Sequence, residues 1–142
     1  MTTRQFCTFE IDDHLLGVEV ESVQEVIRHQ EMTPVPLARP EISGLINLRG
    51  QIVTAMDLRR RLGFQDRTDD RLPPNVVIRA ADGPVSLLVD EIGDVLDVDD
   101  DSFERPPDTV SEAARALIAG TYKLDGRLLL VLDTERVVAP LD

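Results

Sequence analysis

Tryptophan is absent from these 142 residues, and cysteine, lysine and tyrosine occur once each. The single cysteine, Cys7, excludes an intrachain disulfide and a cysteine-based zinc site. The single lysine, Lys123, leaves no polybasic tract. Fifteen Lys and Arg stand against 27 Asp and Glu, a net charge of −12. That excess repels phosphate backbones and anionic lipid alike, so neither nucleic acid nor direct membrane contact is expected. No apolar run approaches the roughly 18–20 residues that span a bilayer. The opening Met1-Thr2-Thr3-Arg4 has no apolar h-region, and a cytoplasmic location is expected. There is no P-loop, no G-x-G-x-x-G and no G-x-S-x-G. His14 and His29 stand in no metal-ligand or triad spacing and read as surface histidines. No catalytic residue, cofactor or metal ligand is therefore assigned, and surfaces must carry the function.

What is present is globular. Hydrophobic residues make up 42% of the chain, enough at this length to bury a core. Gln5–Ile11 alternates, with Cys7, Phe9 and Ile11 on one face; Asp12-Asp13 is a turn, and Leu16, Val18 and Val20 form the next inward face. Ser22-Val23-Gln24-Glu25 has the form of a capping box, and Val23, Val26 and Ile27 fall at helical spacing, so a short amphipathic helix is expected there. After Pro34, Pro36 and Pro40 comes a hairpin, Ile42–Leu48 and Gln51–Met56 around Arg49-Gly50. Its alternation puts Ile46 and Leu48 inward and Leu45, Asn47 and Arg49 outward. Asp57 is placed to cap a helix that Gly63 ends. Arg59-Arg60-Arg61 on that helix reads as a solvated basic face.

The pattern then returns. Ile42–Leu62 matches Ile118–Val138 without a gap at an offset of 76, with Gly44/Gly120, Gly50/Gly126, Asp57/Asp133 and Arg60/Arg136 among the identical pairs. Val20, Val23, Val26 and Ile27 match Val89, Ile92, Val95 and Leu96 at an offset of 69. The difference, 7 residues, places an insertion between Leu96 and Ile118. Short strands with frequent turns favour small barrels or sandwiches, and closing each sheet would remove its exposed edges. The expectation is one domain, 1–142, mainly β, made of two similar β-barrels of about 65 residues each. The first spans about 4–65 and the second about 75–140, joined by a linker at 66–74.

The run Gly44-Leu45-Ile46-Asn47-Leu48-Arg49-Gly50-Gln51-Ile52-Val53, leading to Met56-Asp57-Leu58-Arg59, resembles the signature of the CheW coupling-protein family. So do Val23-Gln24-Glu25-Val26, Leu88-Val89-Asp90-Glu91-Ile92-Gly93-Asp94-Val95, and Asp125-Gly126-Arg127 ahead of Asp133. The resemblance covers residues 4–138. It implies that the two barrels are five-stranded and SH3-like, with short helices, and that there is no catalysis. It implies a chemotaxis adaptor of two-component signalling that bridges the cytoplasmic tip of methyl-accepting chemoreceptors to the regulatory domain of a CheA-type histidine kinase. It implies a cytoplasmic protein recruited to membrane-associated receptor arrays. Carried over position by position, the receptor-facing residues are Val23, Glu25, Gly44 and Arg49.

Two features stand outside that resemblance. Eleven acids and one base lie between Asp82 and Glu112, a net −10, while the remainder nets −2. Within that stretch Asp97-Val98-Asp99-Asp100-Asp101 has the beginning of a calcium loop, but Ser102 replaces the turn glycine and Pro106, Pro107 and Asp108 fill positions ten to twelve. The alternative to a scaffold is thus a small-ligand or cation-binding module built of duplicated barrels, with that run as the cation site.

Overall fold

The computed structural model describes residues 3–66, 71–106 and 110–139. Strands β1 (Thr3–Ile11) and β2 (His14–Glu19) pair around Asp12, which takes a left-handed φ of 53°. A 3-10 turn leads into β3 (Val23–Ile27). Strands β4 (Ile42–Leu48) and β5 (Gln51–Asp57) form the second hairpin, and α1 (Leu58–Arg61) follows. The Asp57 carboxylate accepts the backbone N–H of Arg59 and Arg60, the cap that the sequence predicts. Beyond residue 70 come β6 (Asn75–Ala80), β7 (Gly83–Leu88), β8 (Glu91–Asp99), β9 (Phe103–Glu104), α2 (Glu112–Arg115), β10 (Ile118–Leu124), β11 (Arg127–Leu132) and α3 (Thr134–Val138).

One local expectation fails. Val23–Ile27 is a strand and not a helix, and Ser22 closes the 3-10 turn instead of capping. Three of the five residues are β-branched, which favours extended backbone. Antiparallel pairing with β6 then supplies the hydrogen bonds that a single helical turn could not outweigh.

The duplication holds at the level of register. The parallel pair Thr54↔Val85 has its counterpart in Leu130↔Leu16, shifted by the two sequence offsets. A β-bulge between Val23 and Glu25 recurs between Cys7 and Phe9. Even single hydrogen bonds repeat: Arg60 donates to the Pro40 carbonyl, Arg136 to that of Ala116. The sheets cut across the repeat, however. One runs β8-β1-β2-β11-β10-β9 and the other β3-β6-β7-β5-β4. Hairpin β1–β2 thus lies with the strands of the second copy, and β6–β7 with those of the first. The division at 4–65 and 75–140 describes the repeat, not the sheets. The ladders are open, with β8 and β9, and β3 and β4, as terminal strands. Closed barrels are therefore not formed by hydrogen bonding. The expected linker falls partly on 67–70, outside the described residues.

Exchange of the hairpins buries them on both faces. Phe9, Ile11, Leu16 and Val18 share a central core with Val76, Ile78, Val85 and Leu87. The opposite faces feed two smaller cores, one around Phe6, Leu15 and Tyr122, the other around Ile46, Val53 and Val77. The stretch between Glu104 and Ile118 joins this packing: Val110, Ala114 and Leu117 lie in the central core.

Two of the three arginines of α1, Arg59 and Arg61, are structural ties, while Arg60 stays on a solvated face. Arg59, 11% exposed, donates from Nε and Nη2 to the two Asp90 oxygens at 2.9 Å and also pairs with Asp12. These contacts raise its pKa, the Asp90 hydrogen bond most, so it is charged at any working pH. Arg60 pairs with Asp66 at 2.8 Å. Arg61 donates to the carbonyls of Val137 and Arg136 and so satisfies the last turn of α3. Two outcomes follow. Leu117→Ala is expected to cost about 2–5 kcal/mol in urea unfolding, as for a core leucine; a solvated position would change by less than about 0.5 kcal/mol. Arg59→Met is expected to cost about 3 kcal/mol because it strands the nearly buried Asp90, whereas an indifferent urea midpoint would deny Arg59 this role.

Candidate functional site

The β4–β5 turn places Arg49. Both central residues have positive φ, 53° at Arg49 and 87° at Gly50, the pattern of a type I′ hairpin turn. The Asn47 side chain accepts the Gly50 N–H at 2.9 Å and braces it. Glycine, asparagine or aspartate is the ordinary choice at the first position; a long side chain there is strained by its Cβ. In the second copy Asp125 holds that place without a positive φ. The strain at Arg49 is thus specific to one copy, and strain of this kind collects at functional sites.

Arg49 reaches β3. Its Nη1 and Nη2 donate to the two Glu25 carboxylate oxygens at 2.6 and 2.9 Å, a bidentate pair. Glu25 is mostly covered (18% exposed) and Arg49 is not (74%). The hydrogen bond to Glu25 and then its charge raise the Arg49 pKa. The strand order separates β3 from β4 by the width of the sheet, so this pair spans the curl from one terminal strand to the other. Two of the four expected receptor-facing residues are therefore joined directly.

The other two occupy different settings. Val23 is half-buried against the central core, and its carbonyl accepts from Arg79 at 2.8 Å. Val23 and Glu25 both lie on a strand, not on the helix expected to carry them. Gly44 sits at the far end of β4 from Arg49, with φ of 154°. A Cβ there would stand 2.6 Å from the Thr33 carbonyl oxygen, so glycine is needed for the loop to bridge onto Leu45. Its observed work is packing.

Sequence reasoning missed the apolar flank. Val26, next to Glu25, is 42% exposed, and Ile52, three residues beyond Arg49, is 62% exposed. Helical spacing groups Val26 with Val23 and Ile27 on one apolar face, whereas alternation marks Ile52 as the outward neighbour of Val53. The second copy repeats the apolar part only at Val95, which matches Val26 and is exposed; Leu128, which matches Ile52, is half-buried, and Asp94 and Asp125 stand where Glu25 and Arg49 do. That copy cannot form the ion pair.

Chemistry of other kinds finds no support. Among the described residues no group of three His, Cys, Asp or Glu is arranged to hold a metal. In the acidic run, Asp99 accepts the Asp101 N–H and Asp100 pairs with Arg4 at 3.2 Å, so these carboxylates terminate β8 rather than surround an ion. Pro107 and Asp108 lie outside the described residues. Partial burial raises the Cys7 thiol pKa, the reverse of activation. The histidines are half-buried, not free: His14 stacks on Phe64, and His29 Nδ1 lies 2.9 Å from the Pro73 carbonyl oxygen. No described helix is long and apolar enough to cross a membrane.

Comparison with known proteins gives this surface a context. The CheW-like domain model matches residues 5–141. The chemotaxis protein CheW of Thermotoga maritima is 32% identical over 131 residues, 92% of this chain and 85% of that protein. That of Bacillus subtilis is 29% identical over 137 residues, 96% and 88% of the two chains. The crystal structure of the scaffolding protein TtCheW from Thermoanaerobacter tengcongensis superposes with a TM-score of 0.85 at 26% identity, covering 96% of this chain and 92% of that one.

The ion pair is expected to contribute little to stability, because its arginine is exposed and its turn is strained. Arg49→Gly relieves the turn while removing the pair, and Tm is expected to stay within about 3 °C of the parent. A larger drop in a thermal melt would make the pair a structural strut.

Proposed function

The chain belongs to the CheW-like family, and we propose that it works as a chemosensory scaffold, without catalysis of its own, that couples receptor tips to a CheA-type histidine kinase. The single observation that carries the reading is the bidentate Arg49–Glu25 pair. An exposed guanidinium is held in a strained turn and aimed at a covered carboxylate, with exposed Val26 and Ile52 beside it in sequence. Such a surface suits an amphipathic helix: apolar side chains supply affinity, and the fixed charges set register and sign.

The receptor tip is the proposed occupant. Val23, Glu25 and Arg49 form its contact, and Gly44 supports them by letting the preceding loop dock at the base of β4. The regulatory domain of the kinase is the second partner. Hairpin β4–β5 carries Arg49 at its tip and leads straight into α1, whose arginines tie both sheets together. A load on the hairpin is thereby transmitted to the rest of the fold, which is what coupling of two binding sites requires. In the cell the protein is proposed to be cytoplasmic and recruited to membrane-associated receptor arrays through these contacts.

The test is calorimetric titration with a receptor-tip helical-hairpin fragment. Arg49→Glu is expected to abolish binding while Tm barely moves. The swap Glu25→Arg with Arg49→Glu restores an ion pair of reversed polarity and is expected to leave binding lost, because the partner reads the sign. Unchanged affinity in either variant removes the pair from the contact. Failure of the intact protein to make a matched kinase respond to receptor would overturn the scaffold reading as a whole.

A further inference from the structure

We propose that the open end of the six-stranded sheet is a second binding site, and that it accepts an arginine side chain presented by a partner protein. A cavity of about 520 Å³ opens there, walled by Phe6, Phe103 and Tyr122 and rimmed by Glu19, Asp100 and Asp133. That volume lies within the range of sites for small groups.

Phe103 is the distinctive element. It is 57% exposed, yet its ring is held. It stands edge-on to Tyr122 at a centroid distance of 5.7 Å and 84°, and Tyr122 in turn lies against Phe6 at 5.5 Å. Strand β10 runs beneath it with Gly120, where a Cβ would meet the Phe103 ring at 2.8 Å. An aromatic face fixed in water has no use in the fold's own core. It is a preorganised platform.

The charge around the platform decides what fits. Three carboxylates line the cavity against one guanidinium, that of Arg4. Arg4 lies 3.2 Å from Asp100 and 3.5 Å from Glu19 and is half exposed, so the rim already shows that it takes a guanidinium. Asp133 caps α3 and pairs with Arg136 at 3.5 Å, so Glu19 and Asp100 are the acceptors that the rim offers. The stretch from Asp82 to Glu112, with its net −10, surrounds Phe103 in sequence. Its field draws cations in and turns anions away. Among cations a guanidinium suits the site, because its plane stacks on the ring while its edge bonds a carboxylate. The acidic segment, which the receptor contact does not use, thereby acquires a role.

Amide shifts of the intact ¹⁵N-labelled protein test the site, with N-acetyl-arginine N-methylamide as the probe. Saturable shifts are expected at Asp100, Phe103, Gly120 and Tyr122. Phe103→Leu keeps apolar bulk on Tyr122 but removes the ring, and is expected to weaken binding about fivefold. Asp100→Asn, at a half-exposed position, is expected to weaken it at least about threefold. The neutral citrulline analogue is expected not to bind. Free arginine, with its own carboxylate, is expected to bind more weakly than the blocked probe. Absence of shifts at those amides, equal binding by citrulline, or full affinity in both variants would overturn the site. Free arginine binding more tightly than the blocked form would overturn a partner protein as the source.

Discussion

The central core between the two sheets is the constraint on which everything else rests. Neither sheet could cover its own inner face with the residues of one repeat. Hairpins β1–β2 and β6–β7 cross over, pair in parallel with β11 and β5, and are buried on both sides. Each hairpin contributes one face to a sheet's own small core and the other to the shared one. The two halves consequently fold as one unit, and a change that loosens the shared core reaches both.

Polar ties complete what the core begins. Arg59 fastens α1 to the turn of β1–β2 and to Asp90, while Arg61 fastens it to the end of α3. Three adjacent arginines that look alike in sequence thus do three different jobs, and none of them is the exposed contact. Arg49 is. The difference lies in what surrounds each: a nearly covered guanidinium between carboxylates holds structure, and an exposed one on a strained turn offers itself to a partner.

Duplication followed by divergence divides the surface. The first copy holds the electrically neutral Glu25–Arg49 pair, with exposed Val26 and Ile52 near its members in the chain. The second replaces both members by aspartates and gathers most of the net negative charge. Met32 precedes the Thr33↔Leu45 bridge of the first copy, and Phe103 precedes the matching Glu104↔Thr121 pair of the second. One scaffold thereby presents two faces of different chemistry from a single repeated fold, which is the economy expected of an adaptor.

Much of this was legible in the residues. The hairpin around Arg49-Gly50, the cap at Asp57, the repeat and its insertion follow from alternation, turn chemistry and spacing, all of which are local. The candidate pair, Glu25 and Arg49, came from a family-like motif, and its members could be named without knowing that they touch. The errors were non-local. Val23–Ile27 has helical spacing, and only pairing with β6 makes it a strand. Composition alone does not show that Val110, inside the acidic stretch, is buried in the shared core. The exchange of hairpins leaves no local trace, since either partner sheet satisfies the same alternation. Sequence by itself determined the elements, the duplication and the chemistry that each surface carries. Tertiary structure alone decided which sheet each hairpin joins and which charges meet, because pairing and burial depend on residues distant in the chain.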